Sequence, residues 1–134
     1  MLPVSRCNAA GARLALGLAL LIITSMALTP TPGEVQQSVN DKLGHAMAFL
    51  LLAFLSHASW PAIRFGWQQA GALLGYGLAL EVIQYFIPNR YFSLLDLAAD
   101  LAGIVLYILL IPFIRHLLRT SANGASELSK SIQR

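Results

Sequence analysis

Residues 81–103, EVIQYFIPNRYFSLLDLAADLAG, interrupt an otherwise apolar chain with acids, an amide and an arginine. An ionisable side chain in a membrane helix costs about 2.5–3.5 kcal/mol on insertion scales, so it faces the bundle interior and takes a partner. That requirement constrains the fold more than any other feature. Glu81 and Gln84 share one helix face, and Asp96, Asp100 and Gly103 share another. A turn at Pro88, Asn89 and Arg90 brings the two polar faces to the same end of two apolar helices. So many polar groups in one place argue for a site.

The 134 residues are 57% hydrophobic and 11% charged, which places the chain among membrane proteins and bounds it to one domain. The net charge of +3 comes from Lys and Arg that flank apolar runs. No basic stripe with interleaved aromatics is present, so nucleic acid is not an expected partner. Cys7, the single cysteine, allows no internal disulfide and precedes the apolar runs.

Four spans are predicted. The first, residues 12–28, follows Arg6 and Arg13 and reads as an uncleaved N-terminal anchor over 1–28, although Ser25 and Ala27 also give it the small-x-small pattern of a signal peptide. Residues 29–40, TPTPGEVQQSVN, read as an extracytoplasmic connector. The second helix is expected from Asp41, capped by Asn40 or Asp41, to about Trp60. Along it Asp41, His45 and Phe49 form one stripe, with Gly44 and Ala48 on the next as points of close approach. Trp60, Phe65 and Trp67 suit a membrane interface, and Arg64 marks the cytoplasmic side. The third helix, 69–87, carries Gly71 and Gly75 at a spacing that suits helix contact. Tyr85, Phe86, Tyr91 and Phe92 suggest an outer aromatic belt. The fourth helix opens with the capping-box spacing of Ser93 and Asp96 and is expected to reach about His116, with a late kink at Pro112. The last three helices thus make a three-helix membrane region over 41–118, and a polar, largely structureless cytoplasmic tail is expected over 119–134.

Seven of the basic residues, Arg6, Arg13, Arg64, Arg115, Arg119, Lys130 and Arg134, fall on one side of this bundle, and Lys42 and Arg90 on the other. The positive-inside rule then puts both termini in the cytoplasm and the polar cluster toward the outer face of the membrane.

The set DKLGHAMAF at 41–49, Glu81 and Gln84, Pro88, Arg90, Ser93, Asp96 and Gly103 resembles the VanZ-like membrane protein family over roughly residues 41–112. The resemblance implies an all-α polytopic membrane bundle. The family includes a protein linked to resistance to the glycopeptide teicoplanin, which points toward the cell envelope. One departure is Asp100, where the family pattern usually has asparagine.

Capping or first-turn placement accounts for Asp41 and Asp96, interfacial anchoring for Lys42 and Arg90, and simple hydrogen bonding for His45 and Gln84. Glu81 is explained least well by such roles, because it lies mid-run in LALEVIQYF. No H-E-x-x-H, G-x-S-x-G or P-loop pattern occurs. Two functional classes follow. In the first, Lys42 and Arg90 hold the phosphate of an outer-leaflet lipid or cell-wall precursor while Asp41, His45, Glu81, Gln84, Asp96 and Asp100 complete the binding site. In the second, Glu81 or Asp96 is a general base, with His45 as its partner, or His45, Glu81, Asp96 and Asp100 surround a divalent cation, and the substrate is lipid-linked. A polar cluster that only holds the bundle together is the third reading. With all four acids ionised the cluster has an excess of about two negative charges, which implies a shared proton, a protonated His45 or a bound cation.

Overall fold

The computed structural model describes residues 6–29, 39–88 and 90–132, with side chains over 8–29, 41–88 and 90–116. Four helices follow one another: α1 (Arg6–Leu28), α2 (Val39–Ser59), α3 (Trp67–Gln84) and α4 (Leu94–Ile132), with no strand among the described residues. The connector expected over 29–40 lies outside the described residues except at its two ends, as does Asn89 in the turn. Because α2 already begins at Val39, Asp41 sits inside its first turn and is not the cap.

Helix α2 is the centre of the bundle and packs mainly on α4 and next on α1. Its contact with α4 depends on Gly103. A Cβ there would run into the carbonyl oxygen of Ala46 and come within 3.0 Å of the Leu50 nitrogen, so only glycine lets the two backbones meet this closely. Of the two points of close approach expected on α2, Ala48 packs against the core, whereas Gly44 faces open space, as do Gly71 and Gly75 of α3. Phe49, Leu52 and Ala53 of α2 form the core with Leu73 of α3 and with Ile104 and Tyr107 of α4. Phe65, expected at the interface, instead turns inward, its ring 5.1 Å from that of Tyr107 in an edge arrangement. Trp60 and Trp67 remain exposed, as do Tyr85, Phe86, Tyr91 and Phe92 around the α3–α4 turn.

Two arginines tie helix ends together. Arg13 Nε donates to the carbonyl of Ser59, the last residue of α2, at 3.0 Å. At the opposite end, Arg90 Nη2 donates to Met26 O at 3.1 Å, Gln84 Nε2 to Ala27 O at 3.1 Å and Thr29 Oγ1 to Ser25 O at 2.6 Å. A helix leaves its last four carbonyls without an internal partner, and a cation is favoured there by the dipole. Side chains from three places thus close the end of α1 and hold it on the bundle.

Among the described residues, two helices have segments long and apolar enough to cross a membrane: Asn8–Leu28 in α1 and Leu94–His116 in α4. The other two helices carry the polar residues that lower their hydropathy, Asp41, Lys42, His45 and His57 on α2 and Gln68, Gln69, Glu81 and Gln84 on α3. Helix α4 passes through Pro112 and continues to Ile132, where a structureless tail was expected. The added segment has no second proline to stop it, although it carries Asn123 and Gly124.

Candidate functional site

The helix ends near the α3–α4 turn enclose a groove of about 310 Å³ walled by all four helices. Ile23, Met26 and Ala27 of α1 and Leu80 of α3 make it apolar on one side. His45, Glu81, Gln84, Arg90 and Asp100 make it polar on the other, with Asp41 beside them.

Each polar residue has a traceable position. Ser93 caps α4 through its side chain, accepting the Asp96 N–H at 3.2 Å. In a capping box Asp96 would reach back to the Ser93 N–H, but Glu81 does this instead, its Oε2 accepting that N–H at 2.8 Å. A glutamate that the sequence leaves without a local explanation is therefore the second half of a cap supplied by another helix. Glu81 is 1% exposed. The substitution frees Asp96 to pair with Lys42, whose Nζ lies 3.4 Å from Asp96 Oδ1. One turn further along α4, Asp100, also 1% exposed, has Oδ1 2.9 Å from His45 Nδ1. Gly77 makes room for this carboxylate, since a Cβ there would lie 2.6 Å from Asp100 Oδ2 and 2.9 Å from Phe49 Cζ.

The residues expected to converge do so in two groups. Ligand-capable atoms of Asp41, His45 and Asp96 lie within 4.8 Å of one another. Of the four residues expected around a cation, His45 and Asp96 fall in this group together with Asp41, while Asp100 stands behind His45 and Glu81 is directed to the α4 cap. Arg90 and Gln84 carry a structural duty at the end of α1. Arg90 Nε is nevertheless buried with no acceptor among the described residues.

A second buried pair was not foreseen. His57 Nδ1 and Tyr107 Oη are 2.7 Å apart, with both residues closed off from solvent. Each sits in an apolar run, and no spacing within either helix connects them; Phe65 against both rings completes the cluster.

The fold and the site define an all-α protein with two helices of membrane-spanning length and apolarity among the described residues and a polar groove between its helices. A family model described as VanZ/LLP1 matches residues 19–115, and the chain belongs to that family. No curated protein and no solved structure matches the chain.

Proposed function

We propose that this chain is a multi-pass protein of the bacterial cytoplasmic membrane, with α2 and α3 crossing beside α1 and α4 and both termini cytoplasmic, and that its groove binds the headgroup of an anionic outer-leaflet lipid or lipid-linked cell-wall precursor. The observation that carries the reading is the two-sided wall. A headgroup meets His45, Glu81, Gln84 and Arg90, while the attached chain leaves along Ile23, Met26 and Leu80. The volume of 310 Å³ is at the small end of the usual range for ligand pockets and suits a headgroup without its acyl chains. Arg90 supports an anionic group, because its Nε–H has no acceptor among the described residues while Nη2 is fixed on α1. The cellular role that follows is in cell-envelope homeostasis, with glycopeptide resistance as one outcome of holding a precursor.

The 2.9 Å contact between His45 and buried Asp100 favours a second reading, an intramembrane acid–base enzyme acting on a lipid-linked substrate. Here Asp100 orients the imidazole and His45 exchanges the proton. Binding without turnover separates the two readings.

The test is saturable binding of short-chain phosphatidylglycerol, with phosphatidylcholine as the comparison, to the purified full chain by native mass spectrometry. We expect selective retention of phosphatidylglycerol and roughly tenfold weaker retention for Arg90→Lys, which loses the guanidinium fork. Equal retention of both lipids by both proteins would remove the anionic-headgroup reading.

A further inference from the structure

We propose that Asp41, His45 and Asp96 bind a divalent metal ion of the zinc or manganese type, with Asp100 as the residue that orients His45. Asp41 and His45 are four residues apart on α2 and present their side chains on one stripe, and Asp96 comes across from the first turn of α4. Their ligand-capable atoms lie within 4.8 Å of one another. Zinc holds nitrogen and oxygen ligands at about 2.0–2.2 Å, so tetrahedral donors stand about 3.5 Å apart. The site closes on an ion by an inward movement of about 1 Å, a distance that side-chain rotation of the half-buried Asp41 and His45 supplies.

Two further observations point to a cation. The first is Asp100, which is outside the three-residue set and buried behind it. With Nδ1 of His45 held by this carboxylate at 2.9 Å, Nε2 is the nitrogen left to ligate. A carboxylate behind a histidine in this way fixes the ring and raises its basicity toward a metal. The second is the charge of the neighbourhood. Glu81 and Asp100 are each 1% exposed and Asp96 lies beside them, whereas, among the described residues, Lys42 is paired to Asp96 and Arg90 is committed to the carbonyls of α1. A divalent ion balances the excess of carboxylates among apolar helices. The chemistry of one imidazole and two carboxylates suits a borderline-hard ion and leaves coordination positions for water or a ligand oxygen.

Lys42 is the internal competitor for this ion. Its Nζ lies 3.4 Å from Asp96 Oδ1, a long contact that a metal would displace. Removing the lysine removes a like charge beside the ion, so Lys42→Met tightens metal binding.

The experiment is calorimetric titration of Zn²⁺ into the untagged full chain in detergent after chelator treatment, with no lipid probe added. One equivalent is expected to bind, Asp41→Asn with His45→Gln to abolish the binding, Asp100→Asn to weaken it about 10–100-fold, and Lys42→Met to strengthen it. Gly71→Ala, remote from the site and open to an added Cβ, should leave it unchanged. Helical circular dichroism and the Co²⁺ absorption bands of the wild-type protein provide readouts that do not depend on the variants folding. Absence of stoichiometric Zn²⁺ binding and of Co²⁺ bands in the wild type overturns the proposal, as does equal binding by the double variant. Because no lipid is present, this failure would leave the lipid-binding reading standing.

Discussion

Replacing Gly103 by alanine tests whether the site depends on the close contact of α2 and α4. The new Cβ would collide with the Ala46 carbonyl oxygen and crowd the Leu50 nitrogen, both backbone atoms that cannot swing aside. The helices must separate locally, by about 1 Å to restore ordinary contact. Alanine gains about 0.5–1 kcal/mol over glycine within a helix, whereas overpacking costs about 1–3 kcal/mol and sits at the upper end when backbone is struck. A net loss of about 2 kcal/mol is expected. The same separation carries His45 and Asp100, now 2.9 Å apart, and Lys42 and Asp96, now 3.4 Å apart, out of hydrogen-bond range. Gly71→Ala is the control, because its Cβ meets nothing within 4 Å. Thermal unfolding in detergent and Zn²⁺ titration should both fall for Gly103→Ala and hold or improve for Gly71→Ala. Equal melting temperatures and equal metal affinity for both variants would refute the reasoning.

Glu81→Leu leaves the Ser93 N–H without its acceptor and is expected to cost about 1–3 kcal/mol in thermal unfolding, whereas Glu81→Gln keeps an oxygen for that N–H and should fold while losing lipid binding. If Glu81→Gln retains full lipid binding, the acid is only a helix cap. Tyr107→Phe removes the partner of His57 Nδ1 in a ring whose Nε2 already has no partner among the described residues, so a loss of about 1–3 kcal/mol is expected in the same assay; unchanged melting would place a water or other partner there. Cysteines introduced singly at positions 30–38 should react with a membrane-impermeant maleimide added to whole cells, and labelling only after lysis would reverse the proposed topology.

The sequence made the helices and the location of the polar cluster legible because the rules involved are local. Apolar length announces a helix, and the three- and four-residue spacings of Glu81 with Gln84 and of Asp96 with Asp100 and Gly103 set their faces. Gly103 was grouped with the two aspartates, and it is Gly103 that brings α4 against α2. Pairings between helices were not legible in this way. Ser93 and Asp96 have the spacing of a complete capping box, yet Glu81 competes for the Ser93 N–H from a position twelve residues earlier. Arg90 reads as an anchor or a phosphate ligand, but the open carbonyls at the end of α1, more than sixty residues away, take its Nη2. His57 and Tyr107, fifty positions apart, meet across α2 and α4, and neither helix alone carries a sign of the other.

Photo-crosslinking tests the central claim most directly, namely that a lipid headgroup occupies the groove among the four helices. A phosphatidylglycerol carrying a headgroup diazirine would be incorporated into vesicles with the full chain, irradiated, and its adducts mapped by peptide mass spectrometry. Adducts concentrated on Gly44, His45, Glu81 and Gln84, and competed away by unlabelled phosphatidylglycerol, are the predicted result. Adducts confined to the exposed outer residues Leu14, Leu18, Leu78 and Leu109, with no competition, would contradict it.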